Sequence, residues 1–77
     1  MEFVIWLEEE KKLSKKSAHD VQSRLGRALN IAKDKEATDQ TLSVLENNVE
    51  FKGLSMSVKS QLRRAVRLYV EYKQANK

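Results

Sequence analysis

The chain has 77 residues, no Cys, one His, no Pro and a formal net charge of +4. This length fits one domain, and a chain of this size buries roughly 60% of the surface that its unfolded form exposes. The lack of Cys excludes disulfides and thiolate metal ligands, and a single His gives little basis for a transition-metal site. No apolar run approaches the roughly 20 residues that span a bilayer, and the acidic start differs from a signal peptide, so we expect a cytoplasmic protein.

The charges are segregated along the chain rather than mixed. The net charge is −4 for residues 1–10, +6 for 11–33, −4 for 34–50 and +6 for 51–77. A composition rich in Lys, Glu, Leu, Ala and Ser favours helix, and no segment alternates apolar and polar residues as a strand would. The basic blocks coincide with the two longest helical patterns, so we expect two cationic helices separated by shorter acidic elements.

The first two helices are predicted at residues 2–12 and 17–33. Ser17 and Asp20 have the spacing of a capping box, so Ser17 is expected to begin the second helix after a connector. Trp6 is expected to be the largest single contributor to the core. The residues expected to face the core are Phe3, Trp6 and Leu7 in the first helix and Ala18, Val21, Leu25, Ala28, Leu29 and Ala32 in the second.

Two further helices are predicted at residues 38–47 and 56–73. Thr38 or Asp39 is expected to cap the third helix, and Ser55 the last. The order short, long, short, long predicts an all-α fold, a compact SAM-like bundle of four helices that forms a single domain. The residues expected to face the core are Leu42 and Leu45, the loop residues Val49 and Phe51, and Val58, Leu62, Ala65, Val66, Tyr69 and Tyr72 of the last helix.

Nothing in the sequence has the pattern of an active site. The carboxylates are scattered over predicted helix faces, and neither Gly belongs to a phosphate-binding loop. His19 has no nucleophile or buried carboxylate identifiable beside it, and its place at a helix start is typical of a solvated residue. We therefore expect a protein that is not an enzyme and that has no bound metal or cofactor.

The basic residues of the second and last helices carry the clearest functional signal. Arg63, Arg64 and Arg67 lie within about one helical turn of each other. Guanidinium groups offer paired donors to phosphate oxygens, and a short serine side chain lets a helix approach a nucleic-acid backbone. A charged exterior that serves solubility alone is the alternative. The candidate nucleic-acid-binding residues are Lys15, Lys16, His19, Ser23, Arg27, Lys59, Ser60, Arg63, Arg64 and Arg67.

Spaced apolar and serine positions also give the chain a resemblance to a known family. The pattern comprises F-x-x-W-L at residues 3–7, Leu13-Ser14 with Ser17, Val21 and Leu25, and Leu54-Ser55 with Ser57, Leu62-Arg63 and Tyr69 to Tyr72. It resembles the core-binding, SAM-like N-terminal domain of tyrosine recombinases and phage integrases over nearly the whole chain. The resemblance implies that two helices lie against DNA grooves, with helix-start serines and outward basic residues facing the DNA.

The catalytic domain of that family, with its arginines, histidines and tyrosine nucleophile, has no counterpart in these residues. The resemblance therefore implies a DNA-binding module without strand cleavage. Such a module is expected either as a domain of a longer recombinase or as a phage or mobile-element protein that kept only the binding part. The interpretation depends on one condition, that Arg27 and the arginines of the last helix share one cationic surface.

A protein-interaction or homodimerisation module is the competing hypothesis. Leu68 and Val70 lie on opposite flanks of the apolar stripe of the last helix and widen it beyond what short neighbouring helices cover. A homodimer or an adjoining domain would bury these residues together with Ile31, and the basic blocks would then serve solubility only. Further candidates for the exposed apolar patch are Val4, Ile5 and Met56.

Overall fold

A computed structural model describes residues 2–34 and 37–75, and within these ranges the chain is helical without any strand. The all-α prediction is confirmed. The number of helices differs from the prediction, because an additional single turn forms at residues 49–52, in what was predicted to be a loop. The helices are α1 (Glu2–Glu10), α2 (Lys15–Ala32), α3 (Thr41–Glu46), α4 (Val49–Lys52) and α5 (Met56–Ala75).

Serine side chains begin both long helices. The Oγ of Ser14 accepts a hydrogen bond from the backbone N–H of Ser17 at 3.1 Å, so α2 begins at Lys15. The prediction that Ser17 is the cap was therefore wrong, and residues 15–16 belong to the helix. The Oγ of Ser55 accepts a hydrogen bond from the N–H of Val58 at 3.2 Å, which confirms the predicted cap of α5.

The short helix α3 begins later than predicted, and neither Thr38 nor Asp39 is its cap. The cap position is Gln40, whose side chain makes no capping hydrogen bond. The Oγ1 of Thr41 instead accepts a hydrogen bond from the N–H of Thr38 at 2.9 Å and donates one to Oδ2 of Asp34 at 3.3 Å. Thr41 thereby ties the start of α3 to the segment that leaves α2.

Asn48 joins the single turn α4 to the end of α2. Its Oδ1 accepts a hydrogen bond from the N–H of Phe51 at 3.1 Å, and its Nδ2 donates one to the carbonyl oxygen of Ile31 at 3.2 Å. The turn directs Phe51 into the core and leaves Val49 85% exposed. The prediction that Val49 fills the core was therefore wrong.

Helices α2 and α5 pack against each other more extensively than any other pair, and α1 and α3 each contact both of them. The predicted inward faces are confirmed apart from Val49, although several of their residues are only partly buried. These are Trp6, Leu29, Ala32, Leu42, Val58, Tyr69 and Tyr72. Ile31 is 7% exposed and Val4 is 5% exposed, so the prediction that they contribute to an exposed patch was wrong. The core comprises Phe3, Val4, Leu7, Ala18, Val21, Leu25, Ala28, Ile31, Ala37, Leu45, Phe51, Leu62, Ala65 and Val66.

An aromatic cluster closes the end of the core where α1 meets the C-terminal half of α5. The ring of Phe3 is buried, with its centroid 5.1 Å from that of Tyr69 and 5.4 Å from that of Tyr72. Trp6 lies at the edge of this cluster, with its ring centroid 5.5 Å from that of Tyr72, and it is only partly buried. Within this cluster, Phe3 rather than Trp6 is therefore the more deeply buried ring.

Candidate nucleic-acid interface

The outer face of α5 carries an exposed row of one serine and two arginines. Ser60, Arg64 and Arg67 follow one another at spacings of four and three residues, and all three are exposed. Such spacing places them on one side of a helix and spreads them over about 10 Å along its axis. No carboxylate of the described ranges lies within ion-pair distance of Arg64 or Arg67. Both guanidinium groups are therefore available to an external anion.

Arg63 is held differently, because it is paired with a carboxylate of α3. Its Nε lies 2.6 Å from Oε1 of Glu46, and its Nη2 lies 3.3 Å from Oε2. The guanidinium also lies over the ring of Phe51, 5.4 Å from the centroid. The hydrogen bond from Arg63 lowers the pKa of Glu46, and the same contact raises the pKa of Arg63. Arg63 thus fastens α3 and α4 to α5.

The charges of Lys59 and Arg67 act on the same carboxylate, Glu46, as that of Arg63. The positive charges of Arg63, Lys59 and Arg67 all contribute to lowering the pKa of Glu46, after the hydrogen bond from Arg63. One carboxylate thus lies among three cations on this side of α5. The site retains an excess of positive charge, since only Arg63 makes an ion pair with Glu46 among the residues that the structure describes.

The basic residues of α2 are exposed but spread out. Lys15, Lys16 and His19 lie in the first turns, whereas Arg27 lies eleven residues after Lys16, about 16 Å further along the helix axis. Ser23 lies between them and is exposed. No described carboxylate makes an ion pair with any of these residues. They form two cationic ends of one helix rather than one cluster.

The basic residues of α2 and α5 lie on the exposed faces of two helices that pack against each other. Helices α2 and α5 are in contact through their apolar faces. Arg27 is exposed on α2, and Arg64 and Arg67 are exposed on α5. That these arginines share one cationic surface stays a prediction, and the row on α5 is considered by itself because spacing within one helix fixes its arrangement. The DNA-binding role of each residue stays a prediction.

A second ion pair lies just beyond the C-terminal end of the α5 row and places a carboxylate there. The Nζ of Lys11 lies 2.7 Å from Oε1 of Glu71, which follows Arg67 by one turn. Sequence reasoning missed this pair and the Glu46–Arg63 pair, because their members lie far apart in the chain and spacing within one helix cannot reveal them. The alternation of acidic and basic blocks was the only signal that such pairs could form.

The apolar patch expected for homodimerisation is only partly exposed. Leu68 and Val70 are partly buried against the core, and Ile31 is buried. Large apolar side chains that are exposed within the described ranges are Ile5, Val44, Val49 and Met56. These residues lie on four different helices. The interaction hypothesis therefore loses Ile31 and Val4 as surface residues and stays a prediction for the others.

Other kinds of site find little support among the described residues. No cluster of three or more His, Asp or Glu side chains in these ranges has the arrangement of a metal site. No helix that the structure describes is both long enough and apolar enough to cross a membrane. Comparisons with protein-family models, with curated proteins and with solved structures give no match to this chain. The fold defines a small all-helical domain with a cationic outer face on its longest helix.

Proposed function

We propose that this domain is a non-catalytic module of the cytoplasm that binds the backbone of double-stranded DNA through the outer face of α5. One observation carries the proposal: Arg64 and Arg67 are exposed, without an ion pair to any described carboxylate, on the same side of the helix as Ser60. Two free guanidinium groups beside a short hydroxyl side chain suit adjacent phosphates, because serine lets the helix approach closely.

The dimensions of the row agree with phosphate contacts. Ser60 and Arg67 lie about 10 Å apart along the helix axis, and phosphates of one DNA strand follow each other every 3.4 Å of duplex axis. The row therefore covers about three successive base pairs. Contacts of this kind orient a protein on DNA without reading its sequence. Binding through so few phosphates is expected to be weak and strongly dependent on salt.

Two other candidate residues of α5 support this contact without being placed in the row. Arg63 orients α3 and α4 through Glu46 and Phe51, and Lys59 adds positive charge beside it. The basic residues of α2 belong to a different helix, and the contact through the α5 row does not depend on them. The resemblance to the recombinase core-binding domain supports DNA as the ligand and implies that the second helix contributes to the grip on DNA.

The proposal is tested by titrating a fluorescently labelled generic DNA duplex with the protein at low salt and following anisotropy. Loss of two phosphate contacts, each of roughly 1 kcal/mol or more, is expected to weaken binding by at least about tenfold in the double variant Arg64→Glu and Arg67→Glu. Thermal unfolding of this variant should match that of the parent protein, since both side chains are exposed.

A matched control separates the row from general charge effects. Lys52→Glu and Lys12→Glu together change the net charge by the same amount, and both of these residues are exposed outside α5. This control should retain DNA binding to within about threefold, because charges away from the contact act only through a screened field. Equal losses in the two double variants, or no binding of the parent protein at low salt, would overturn the proposal.

A further inference from the structure

The exposed face of α1 forms, together with Tyr72 of α5, an apolar groove with acidic rims, and its residues are not used in the DNA proposal. The groove has a volume of about 280 Å³ and is lined by Glu2, Ile5, Trp6 and Glu9 from α1 and by Tyr72 from α5. Its volume lies just below the range of pockets that enclose small molecules, so it suits individual side chains rather than a cofactor.

The chemistry of the groove favours cations beside an apolar group. The indole of Trp6 already has one cation near its ring, since Nζ of Lys11 lies 5.6 Å from the centroid. Glu2 accepts a hydrogen bond from the Tyr72 hydroxyl at 3.2 Å. Neither Glu2 nor Glu9 makes an ion pair with a described cation, whereas Ile5 is 53% exposed between them. Two carboxylates thus stand at the ends of an uncovered apolar strip.

The spacing of these residues defines the partner that would complement them. Glu2 and Glu9 lie seven residues apart on α1, about 10.5 Å along its axis, with Ile5 and Trp6 between them. A partner helix with cationic residues at positions i and i+7 has the same spacing, and apolar residues at i+3 and i+4 would lie against Ile5 and Trp6. This is an amphipathic basic helix.

We propose that the α1 groove docks an amphipathic basic helix of another protein, with Lys or Arg at i and i+7 and apolar residues at i+3 and i+4. A second copy of this chain does not supply such a helix, because no helix that the structure describes carries two basic residues seven positions apart. The groove is lined by α1 and by Tyr72 of α5, and it includes none of the residues of the row, Ser60, Arg64 and Arg67. The inference therefore does not rest on DNA binding.

The test uses the single tryptophan of the chain, Trp6, as a probe within the groove. The ligand is a synthetic alanine-based helical peptide with Arg at i and i+7 and Leu at i+3 and i+4, and tryptophan fluorescence is followed during titration. We expect saturable binding. Glu2→Gln and Glu9→Gln should each weaken it about three- to fivefold, as expected for loss of one solvent-exposed ion pair.

Two controls make the result specific to the groove. A peptide of equal composition with the second Arg moved to i+5 should bind about three- to fivefold more weakly, because that charge then lies on a different side of the helix and its ion pair is lost. The variant Glu50→Gln, which removes an exposed acid on α4, should bind the matched peptide like the parent protein. Equal binding of both peptides would overturn the proposal in favour of unspecific charge attraction.

Self-association is the remaining outcome that would overturn the proposal. If the partner of the groove is another protein, sedimentation of this protein alone should give a monomer at all concentrations. A mass that rises with concentration and falls again in Glu9→Gln would assign the groove to a second copy of this chain instead. The charge reversal of Arg64 and Arg67 should leave peptide binding unchanged, so failure of the DNA proposal and failure of this one are distinguishable.

Discussion

The hydroxyl of Thr41 provides a direct test of how the short helix α3 is fixed to the domain. Thr41 is the one buried polar side chain in the described ranges, with 0% exposure. Replacement by Val keeps the shape but removes the hydrogen bond accepted from the N–H of Thr38 and the one donated to Asp34. Each bond contributes about 1 kcal/mol net, so Thr41→Val should lower the free energy of unfolding by about 2 kcal/mol.

Such a loss is large for a domain of this size. Stabilities of about 0.05 to 0.15 kcal/mol per residue imply roughly 4 to 12 kcal/mol for the whole chain. At about 4 to 8 °C per kcal/mol, Thr41→Val should lower the Tm by about 8 to 16 °C in a thermal unfolding experiment followed by circular dichroism. Urea unfolding of the same variant should show a lower midpoint with an unchanged slope.

The matched variant Thr41→Ser separates the hydroxyl from the methyl group. Serine retains both hydrogen bonds and loses one buried methyl group, which should cost about 1 kcal/mol. The serine variant should therefore be the more stable of the two. A valine variant as stable as the parent protein, or a serine variant less stable than the valine variant, would refute the conclusion that the hydroxyl fixes α3.

Three further predictions concern the core, the Glu46–Arg63 pair and the salt dependence of binding. Leu7→Ala should lower the free energy of unfolding by about 3 to 4 kcal/mol in urea titrations, whereas Ile5→Ala on the exposed side of α1 should cost under about 0.5 kcal/mol. Because folding lowers the pKa of Glu46 below its ordinary value of 4.5, its stabilising contribution is present above that pH and is lost as the pH falls through the folded pKa. The difference in Tm between the parent protein and Glu46→Gln should therefore shrink in melts carried out well below pH 4.5, and a difference that grows would contradict the pairing. Replacing Arg64 and Arg67 by Ala should reduce the log–log slope of DNA affinity against salt by about 1.8 in anisotropy titrations, and an unchanged slope would show that they do not neutralise phosphates.

The helices were predictable because helical periodicity is a local property of the sequence. Helical spacing alone places Leu62, Ala65 and Val66 on one face, wherever the helix lies in the domain. Their burial therefore follows once the helix forms. The start of α2 was harder, since Ser14 and Ser17 each precede a polar residue at cap spacing. The structure makes Ser14 the cap, since its Oγ accepts the hydrogen bond from the N–H of Ser17, which then lies inside the first turn.

The single turn α4 explains the wrong prediction for Val49. In an extended loop, residues 49 and 51 point to the same side, and both were expected in the core. In a helical turn they point in directions about 200° apart, so only one of them can face inward. The hydrogen bonds of Asn48 to Ile31 and Phe51 decide that it is Phe51. This depends on a contact between distant segments, which local patterns do not contain.

The candidate interface was predictable in composition but not in arrangement. The sequence indicates which residues are basic and which side of a helix they occupy. It does not indicate that Arg63 pairs with Glu46 across 17 residues, or that Lys11 pairs with Glu71 across 60 residues. Both facts depend on how the helices pack. Among the three candidate arginines of the last helix, they leave Arg64 and Arg67 without an ion pair in the described chain.

The most direct measurement of the DNA proposal is an amide NMR titration with a short generic duplex at low salt. Contact through the outer face of α5 predicts chemical-shift changes that centre on Ser60, Arg64 and Arg67, leave α1 unaffected and disappear when salt is raised. Unchanged spectra, or changes confined to α1 or to the start of α2, would contradict a DNA-binding face on α5.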